Sequence, residues 1–203
     1  MTNATDLGVH TTASQHGCQP CFPQAYLTAF SAFHKATVEV ASQEKNWAFL
    51  DIQNLYQGIK ERRWQINWPL FRKHLYEKYH VVKAVVFIGF VRKYQWLYKQ
   101  LRQAGFVLEF REVIELENGI IDGGNVDCDL ASYAMDYKTE YNQAIIIADD
   151  GDYCRTIKSL NKQNKLKLII SSHLLANTSF LIKQAVHPNM LISIHGLRNQ
   201  IAQ

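Results

Sequence analysis

The sequence predicts an α/β fold in which helices cover both faces of a mostly parallel central sheet, giving a three-layer sandwich. Two observations lead to this fold class. From Trp47 onward, short apolar runs alternate with segments of helical period, which is the pattern of strands joined by crossover helices. The run at 144–148 is apolar throughout, as expected for a strand buried on both faces. The chain of 203 residues, 47% hydrophobic and 20% charged, is long enough for one such domain with a modest extension.

The start of the chain differs in pattern from the rest. Residues 1–24 are rich in Thr, Gln, His and Ser and show no clear period, and residues 25–40 have apolar positions spaced as in one short amphipathic helix. We therefore predict a partly helical N-terminal extension at 1–45 and the principal domain at 46–203. The extension could cover the functional site, pair two chains into a homodimer, or do neither.

Apolar runs in the principal domain predict strands at 47–50, 81–90, 106–110, 144–148, 166–170 and 190–194. Segments of helical period predict helices at 67–79, 92–104, 126–137, 152–161 and 174–186. Asn67 is a good N-terminal cap with Pro69 in the first turn, and Gly105 is a good C-terminal cap. The acidic, glycine-bearing segment 112–124 is predicted to be a loop or a hairpin. No helix is predicted in the polar, Arg-containing stretch 57–65.

Aspartates adjoin the predicted strands or open the helices that follow them: Asp51, Asp127, Asp129, Asp149, Asp150 and Asp152. In an open parallel sheet, the carboxyl ends of the strands converge on one crevice. Carboxylates that lie close together repel, and they stay ionised together only if a cation sits among them. The pattern therefore predicts a divalent-metal site, and such sites most often act on phosphate esters.

Each of these acids also has a purely structural explanation. Asp51 is explained equally well as the cap of a helix in the turn after its strand. The two acids at 127 and 129 lie in a first helical turn, where the helix dipole favours negative charge. Asp152 is a good cap as well, but one cap leaves Asp149 and Asp150 unexplained. We assign Asp150 to the crevice and leave Asp149 open.

The charge balance suits a polyanionic partner. The net charge is +4, and because many acids gather at one place, the remaining surface must be basic. Candidate phosphate contacts lie near predicted strand ends or loops: Arg62, Arg63, Arg92, Lys93 and Arg155. Each of them alone is explained as simply by a solvated surface charge. Asn54 could hydrogen-bond a carboxylate or a phosphate, or act as a turn residue.

Other features of the sequence carry less information. Trp64, Trp68 and Tyr94 could stack unpaired bases or pack in the core. Cys18 and Cys21 lack the second paired motif that a zinc site needs. The cysteines form no disulfide framework, and no signal peptide is visible, so a cytoplasmic location is expected. No apolar run approaches the roughly 20 residues of a membrane span, so no membrane association is expected.

Three motifs in the same order along the chain resemble those of the NYN domain family. In Phe49–Tyr56 a strand ends in Asp and Asn follows three residues later. In Asn125–Leu130 two acids one residue apart precede a helix. Ala148–Tyr153 is similar to the usual Ser-Gly-Asp-Gly-Asp-Phe of the family, and Ser172–Ala185 resembles its Ser-bearing loop and helix. The resemblance covers about Trp47–Ile194.

The NYN domains belong to the PIN-like nucleases, so the resemblance implies a Rossmann-like, PIN-like fold and a metal-dependent endoribonuclease acting on RNA with Mg²⁺ or Mn²⁺. The implied catalytic and metal-binding acids are Asp51, Asp127, Asp150 and Asp152, with Asp129 as a further metal ligand. Asn54, Arg62, Arg92, Lys93 and Arg155 are the candidate substrate contacts.

The chain departs from the family pattern at three places. Gly124 and Asn125 stand where a basic residue is common, Asp149 replaces a typical Gly, and Val186 stands near the position of a usual Asp. Because all the principal acids are present, we favour an active nuclease. The alternatives are a catalytically inactive module that binds RNA or protein, and a metal-dependent phosphatase. The phosphatase is disfavoured because the first strand ends in Asp-Ile-Gln.

Overall fold

The structure is a computed structural model, and it describes residues 44–111, 114–115, 121–122 and 126–203. The predicted N-terminal extension at 1–45, with Cys18 and Cys21, lies outside the described residues except for Glu44 and Lys45.

The centre of the fold is a six-stranded sheet in the order β3-β2-β1-β6-β7-β8. Its strands are β1 (Asn46–Asp51), β2 (Val81–Gly89), β3 (Val107–Arg111), β6 (Ala144–Ile147), β7 (Leu166–Ser171) and β8 (Leu191–Ser193). All five neighbouring pairs are parallel. The two-residue strands β4 (Ile114–Glu115) and β5 (Ile121–Asp122) pair antiparallel in a second sheet. The predicted α/β fold class is confirmed, and the segment between β3 and the next helix contains a hairpin.

Helices α1 (Ile52–Lys60), α2 (Trp68–Tyr79), α3 (Gln95–Gln103), α4 (Asp127–Asp136), α5 (Cys154–Lys162) and α6 (Phe180–Ala185) lie between the parallel strands. A short helix α7 (Arg198–Ile201) follows the last strand. The predicted caps are present: the Asn67 side chain accepts from the backbone N–H of Leu70 at 3.1 Å, and Gly105 has a φ of +88° after α3. That positive φ favours glycine because it has no Cβ.

Helices α1 and α6 depart furthest from the sequence-based expectation. Helix α1 was not predicted, because the polar stretch 57–65 obscured a buried stripe at Ile52, Leu55, Gly58 and Ile59. The predicted helix at 174–186 is shorter, since α6 begins only at Phe180. The preceding residue donates its backbone N–H to a buried carboxylate, which fixes where the helix starts.

Two hydrophobic cores lie on opposite faces of the sheet. Alternate residues of β1 contribute to them, as the two-residue period of a strand requires. Ala48 and Leu50 belong to a core with residues of α1, α2 and α3. Trp47 and Phe49 belong to a second core with residues of α4, α5 and α6. The domain is therefore a three-layer sandwich, as predicted.

The order of the strands creates a crevice beside β1. The chain proceeds from β1 outward through β2 to β3, and then returns to β6 on the other side of β1 and proceeds outward to β8. The connections that leave β1 and β6 therefore run in opposite directions. In open α/β sheets, the crevice at the carboxyl ends of such a strand pair is the usual ligand site.

Candidate metal centre

A cavity of about 750 Å³ lies at the carboxyl ends of β1 and β6. Three of its lining residues are acids from separate parts of the chain: Asp51 at the end of β1, Asp127 at the start of α4, and Asp150 after β6. The convergence that the strand pattern predicted is therefore present.

The carboxylates of Asp127, Asp150 and Asp152 form the tightest acidic group. Each offers one oxygen, and these oxygens lie within 4.8 Å of one another. Asp127 is half-buried, and the other two are exposed. The backbone N–H of Asp152 donates to Oδ1 of Asp150 at 3.1 Å, which fixes the turn between β6 and α5. A set of carboxylate oxygens without sulfur or nitrogen suits a hard cation such as Mg²⁺ or Mn²⁺.

Asp51 lines the same cavity but is only 5% exposed, and it is not a member of the three-aspartate group. Its Oδ1 accepts the backbone N–H groups of Gln53 and Asn54, each at 3.0 Å. The capping role considered for this residue is therefore confirmed. Its metal-binding role stays a prediction.

The environment of Asp51 disfavours the charged form of its carboxyl group. Burial is the largest cause that raises its pKa, and the negative charge of Asp127 raises it further. The hydrogen bond from the backbone of Asn54 and the one from the hydroxyl of Tyr153 act in the opposite direction, because they stabilise the carboxylate. The Tyr153 hydroxyl lies 3.0 Å from Oδ2 of Asp51.

The Tyr153 hydroxyl is a component of the acidic site that the sequence analysis did not identify. The side chain is almost fully buried. Burial raises its pKa well above the usual range, and the nearby carboxylates of Asp51 and Asp127 raise it further. The phenol therefore keeps its proton and acts as a donor toward the acids. Its position directly after Asp152, the last acid of the 149–152 motif, was the available signal.

Asp149, which the sequence left open, faces away from the acidic group. It is only 6% exposed, and its two oxygens accept from three donors. Ser171 donates its hydroxyl to Oδ2 at 2.7 Å, Nδ1 of His173 lies 2.8 Å from the same oxygen, and the backbone N–H of Ser179 lies 3.1 Å from Oδ1. Asp149 therefore joins the end of β6 to the end of β7 and to the start of α6.

Asp129, which was predicted to be a metal ligand, lies outside the three-aspartate group. Its carboxylate forms an ion pair with Arg111 at 3.1 Å, and both side chains are partly exposed. An exposed pair of this kind contributes little to stability, about 0–1 kcal/mol. Its predicted role at the metal stays a prediction.

The predicted substrate contacts differ in how close they lie to the acids. Asn54 lines the cavity, and its side-chain oxygen accepts a short hydrogen bond from the hydroxyl of Ser172. Arg92 and Lys93 are exposed and lie between two cavity-lining residues, Val91 and Tyr94. The other two predicted contacts, Arg62 and Arg155, are exposed and do not line this cavity.

The aromatic residues also divide into two groups. Trp64 and Trp68 are 7% exposed and belong to the core, so their predicted alternative role in packing is confirmed. Tyr94 is 40% exposed and lines the cavity. Tyr56 and Trp96 line it as well, at 46% and 54% exposure, and the sequence analysis missed both.

The fold and the acids together define a Rossmann-like α/β protein with a candidate metal centre at the switch point of its sheet. The family model for the NYN domain matches residues 46–188, and the chain belongs to this family. The predicted family resemblance is thereby confirmed. No curated protein matches the chain significantly.

A solved structure shares the fold. It is a crystal structure of a protein of unknown function from Vibrio parahaemolyticus RIMD 2210633, with a TM-score of 0.64 and 18% sequence identity. The match covers 79% of this chain and 96% of the Vibrio chain. Among the described residues, no helix is long and apolar enough to cross a membrane.

Proposed function

We propose that the protein is a metal-dependent endoribonuclease that hydrolyses RNA phosphodiester bonds with Mg²⁺ or Mn²⁺. The observation that carries this proposal is the group of Asp127, Asp150 and Asp152 at the switch point of an NYN-family chain. Carboxylates from two different connections of the sheet meet within 4.8 Å, and a cation offsets the repulsion between them. The proposed site of action is the cytoplasm, and RNA is the proposed partner.

The residues present fit a hard divalent cation. Asp127, Asp150 and Asp152 would hold it, because each has an oxygen directed toward the others. A cation bound there would activate water and neutralise charge on the phosphate and on the leaving oxygen.

The remaining residues would prepare the site for substrate. Asp51 adds a buried negative charge to the wall of the cavity, and the Tyr153 hydroxyl holds it in position. Ser172 fixes the side chain of Asn54 at the same wall. Arg92 and Lys93, exposed beside the cavity, offer positive charge to the phosphates on either side of the cleaved bond.

The proposal is tested with Asp150→Asn in the full chain. Asn can still accept the hydrogen bond from the backbone of Asp152, so the turn is retained while the charge is lost. We expect cleavage of a fluorescein-labelled RNA with Mn²⁺ to fall by about 100-fold or more, because a metal ion contributes several kcal/mol to the transition state. Mn²⁺ affinity, measured by calorimetry, should fall in parallel.

The matched control is Asp136→Asn, which removes an exposed carboxylate of α4 outside the three-aspartate group. It should cleave RNA at the wild-type rate. Wild-type activity in Asp150→Asn, or cleavage that persists in EDTA, would refute the nuclease assignment. RNA binding without turnover in the wild type would instead support the binding module, and hydrolysis of p-nitrophenyl phosphate would support the phosphatase.

A further inference from the structure

A second cavity, of about 510 Å³, adjoins the one that contains the acids. Tyr56 and Trp96 line both cavities, so the two are neighbouring parts of one groove. We call it the aromatic groove. It leads from the aspartates, past these two rings, to the C-terminal end of α1, where Lys60 and Arg63 line it.

Tyr56 and Trp96 are exposed rings of the aromatic groove, whereas Trp64 and Trp68, which line its second cavity, are buried. All four tryptophans of the chain lie in its described part. Trp47, Trp64 and Trp68 are 6–7% exposed, whereas Trp96 is 54% exposed. Tyr56 is 46% exposed, and its pKa is raised by partial burial and by the neighbouring Tyr94, which places a third exposed ring close to it. Aromatic faces left open to solvent in a groove can stack on a flat ligand.

The charge of the groove changes along its length. Aspartates line the first cavity, whereas the described residues that line the second include Lys60 and Arg63 and no acid. Arg63 has a φ of +51°, a left-handed conformation that costs a non-glycine residue about 1 kcal/mol. Cations that follow a row of aromatic faces match the alternation of phosphates and bases in a nucleic acid strand.

We propose that Tyr56 and Trp96 form a stacking subsite for unpaired bases of a single RNA strand, whose next phosphates contact Lys60 and Arg63. This inference rests on the proposed function, because it places the phosphate to be cleaved at the aspartates. Bases in a duplex have their faces covered by their neighbours and cannot stack on these rings. The nuclease is therefore specific for RNA that is single-stranded on this side of the cleaved bond, with little preference for base identity.

The test measures binding in EDTA, so that no turnover is needed. The probes are fluorescein-labelled decauridylate and decaadenylate, with a blunt RNA duplex of mixed sequence for comparison. Trp96→Leu is expected to weaken binding of both single strands by about 5- to 150-fold, which corresponds to about 1–3 kcal/mol for one stacked base. Trp96→Phe keeps an aromatic face and should recover most of the affinity. Tyr76→Leu removes an exposed aromatic of α2 that lines neither cavity, and should change nothing.

Two further measurements separate stacking from a general loss of fold. Because Trp96 is the exposed tryptophan, saturation with decauridylate should quench the tryptophan emission of the wild type, and Tyr56→Leu should weaken the binding seen by this signal. Replacing Lys60 and Arg63 together with Gln should lower the slope of log affinity against log salt by about 1–2.

Unchanged affinity in Trp96→Leu, absence of quenching at saturation, or equal binding of the duplex would each overturn the stacking subsite. These outcomes are distinct from failure of the proposed function. A wild type that binds single strands through Trp96 but never cleaves them would refute the nuclease and leave the subsite standing. Cleavage that is lost in Asp150→Asn and unaffected by Trp96→Leu would support the nuclease and overturn the stacking subsite.

Discussion

The hydrogen bond between Tyr153 and Asp51 couples the acidic site to the stability of the fold. Tyr153→Phe removes the hydroxyl that donates to Oδ2 of Asp51 at 3.0 Å and leaves the ring in place. A hydrogen bond to a charged group contributes about 1.5–3 kcal/mol, and one between neutral groups about 1 kcal/mol. We therefore expect the free energy of unfolding to fall by about 2 kcal/mol at neutral pH. In the Asp51→Asn background, Tyr153→Phe should lower the free energy of unfolding by only about 1 kcal/mol.

The cost of Tyr153→Phe should also depend on pH. Burial raises the pKa of Asp51 above its ordinary value of 3.8. The folded state therefore favours the protonated form of Asp51 more than the unfolded state does. The stability that this preference contributes is complete below the unfolded pKa and is lost as pH rises through the folded pKa. Removing the Tyr153 donor raises the folded pKa further. The cost of the substitution should therefore grow with pH above 3.8 and level off once Asp51 is ionised.

The assay is urea unfolding in EDTA, followed by circular dichroism, for the wild type, both single variants and the double variant. The four stabilities give a coupling energy, which we expect to be about 1 kcal/mol at pH 7. A coupling energy below about 0.3 kcal/mol would mean that the hydroxyl does not stabilise the carboxylate. A cost of Tyr153→Phe that is constant from acidic to neutral pH would refute the effect of the Tyr153 hydroxyl on the pKa of Asp51.

Two further predictions concern the contacts around the loop after β7. A Cβ at Gly58 would collide with the carbonyl oxygen of Ser172. Overpacking of about 3 kcal/mol, less a gain of about 1 kcal/mol in helix propensity, leaves a loss of about 2 kcal/mol, so Gly58→Ala should lower the melting temperature by about 4–8 °C. A Cβ at Gly196 would have no atom within 4 Å, so Gly196→Ala is the control and should melt at the temperature of the wild type. His195 accepts the indole N–H of Trp64 at 3.0 Å, and burial lowers its pKa below 6.5. The neutral form therefore stabilises the fold above pH 6.5, and this contribution is lost as pH falls through the folded pKa. Between pH 7 and 5 the wild type should lose more unfolding free energy than His195→Gln, and parallel curves for the two would contradict the lowered pKa.

The positions of the strands could be predicted from the sequence because burial on both faces leaves a strong local signal. Ala144–Ile147 is apolar without interruption, and it is a central strand of the sheet. The meeting of Asp127 and Asp150 could also be predicted, since parallel strands end at the same edge of a sheet. Helix α1 was missed although Ile52, Leu55 and Ile59 recur at helical spacing, because its second half falls in the polar, Arg-containing stretch 57–65.

The exposure of a tryptophan depends on its place in the fold more than on its neighbours in the sequence. Trp64 and Trp96 are the same residue type in similarly polar surroundings and both line the second cavity, yet Trp64 is 7% exposed and Trp96 is 54% exposed. The difference arises from helix phase: Leu97, Tyr98 and Leu101 form the buried side of α3, which turns Trp96 outward. The sequence indicated this buried stripe, although α3 begins three residues after its predicted start because Arg92–Tyr94 form a short 3₁₀ segment.

Asp149 and Asp150 show why neighbouring acids can serve different purposes. Successive side chains of extended backbone point in opposite directions, so the two carboxylates that leave β6 cannot face the same space. Asp149 is turned inward, where donors from two other segments satisfy it. Those contacts tie the ends of β6 and β7 to the start of α6, and this leaves Asp150 exposed on the side of Asp127. Asp149 therefore fixes the backbone turn beside the candidate metal centre, without belonging to the group of Asp127, Asp150 and Asp152.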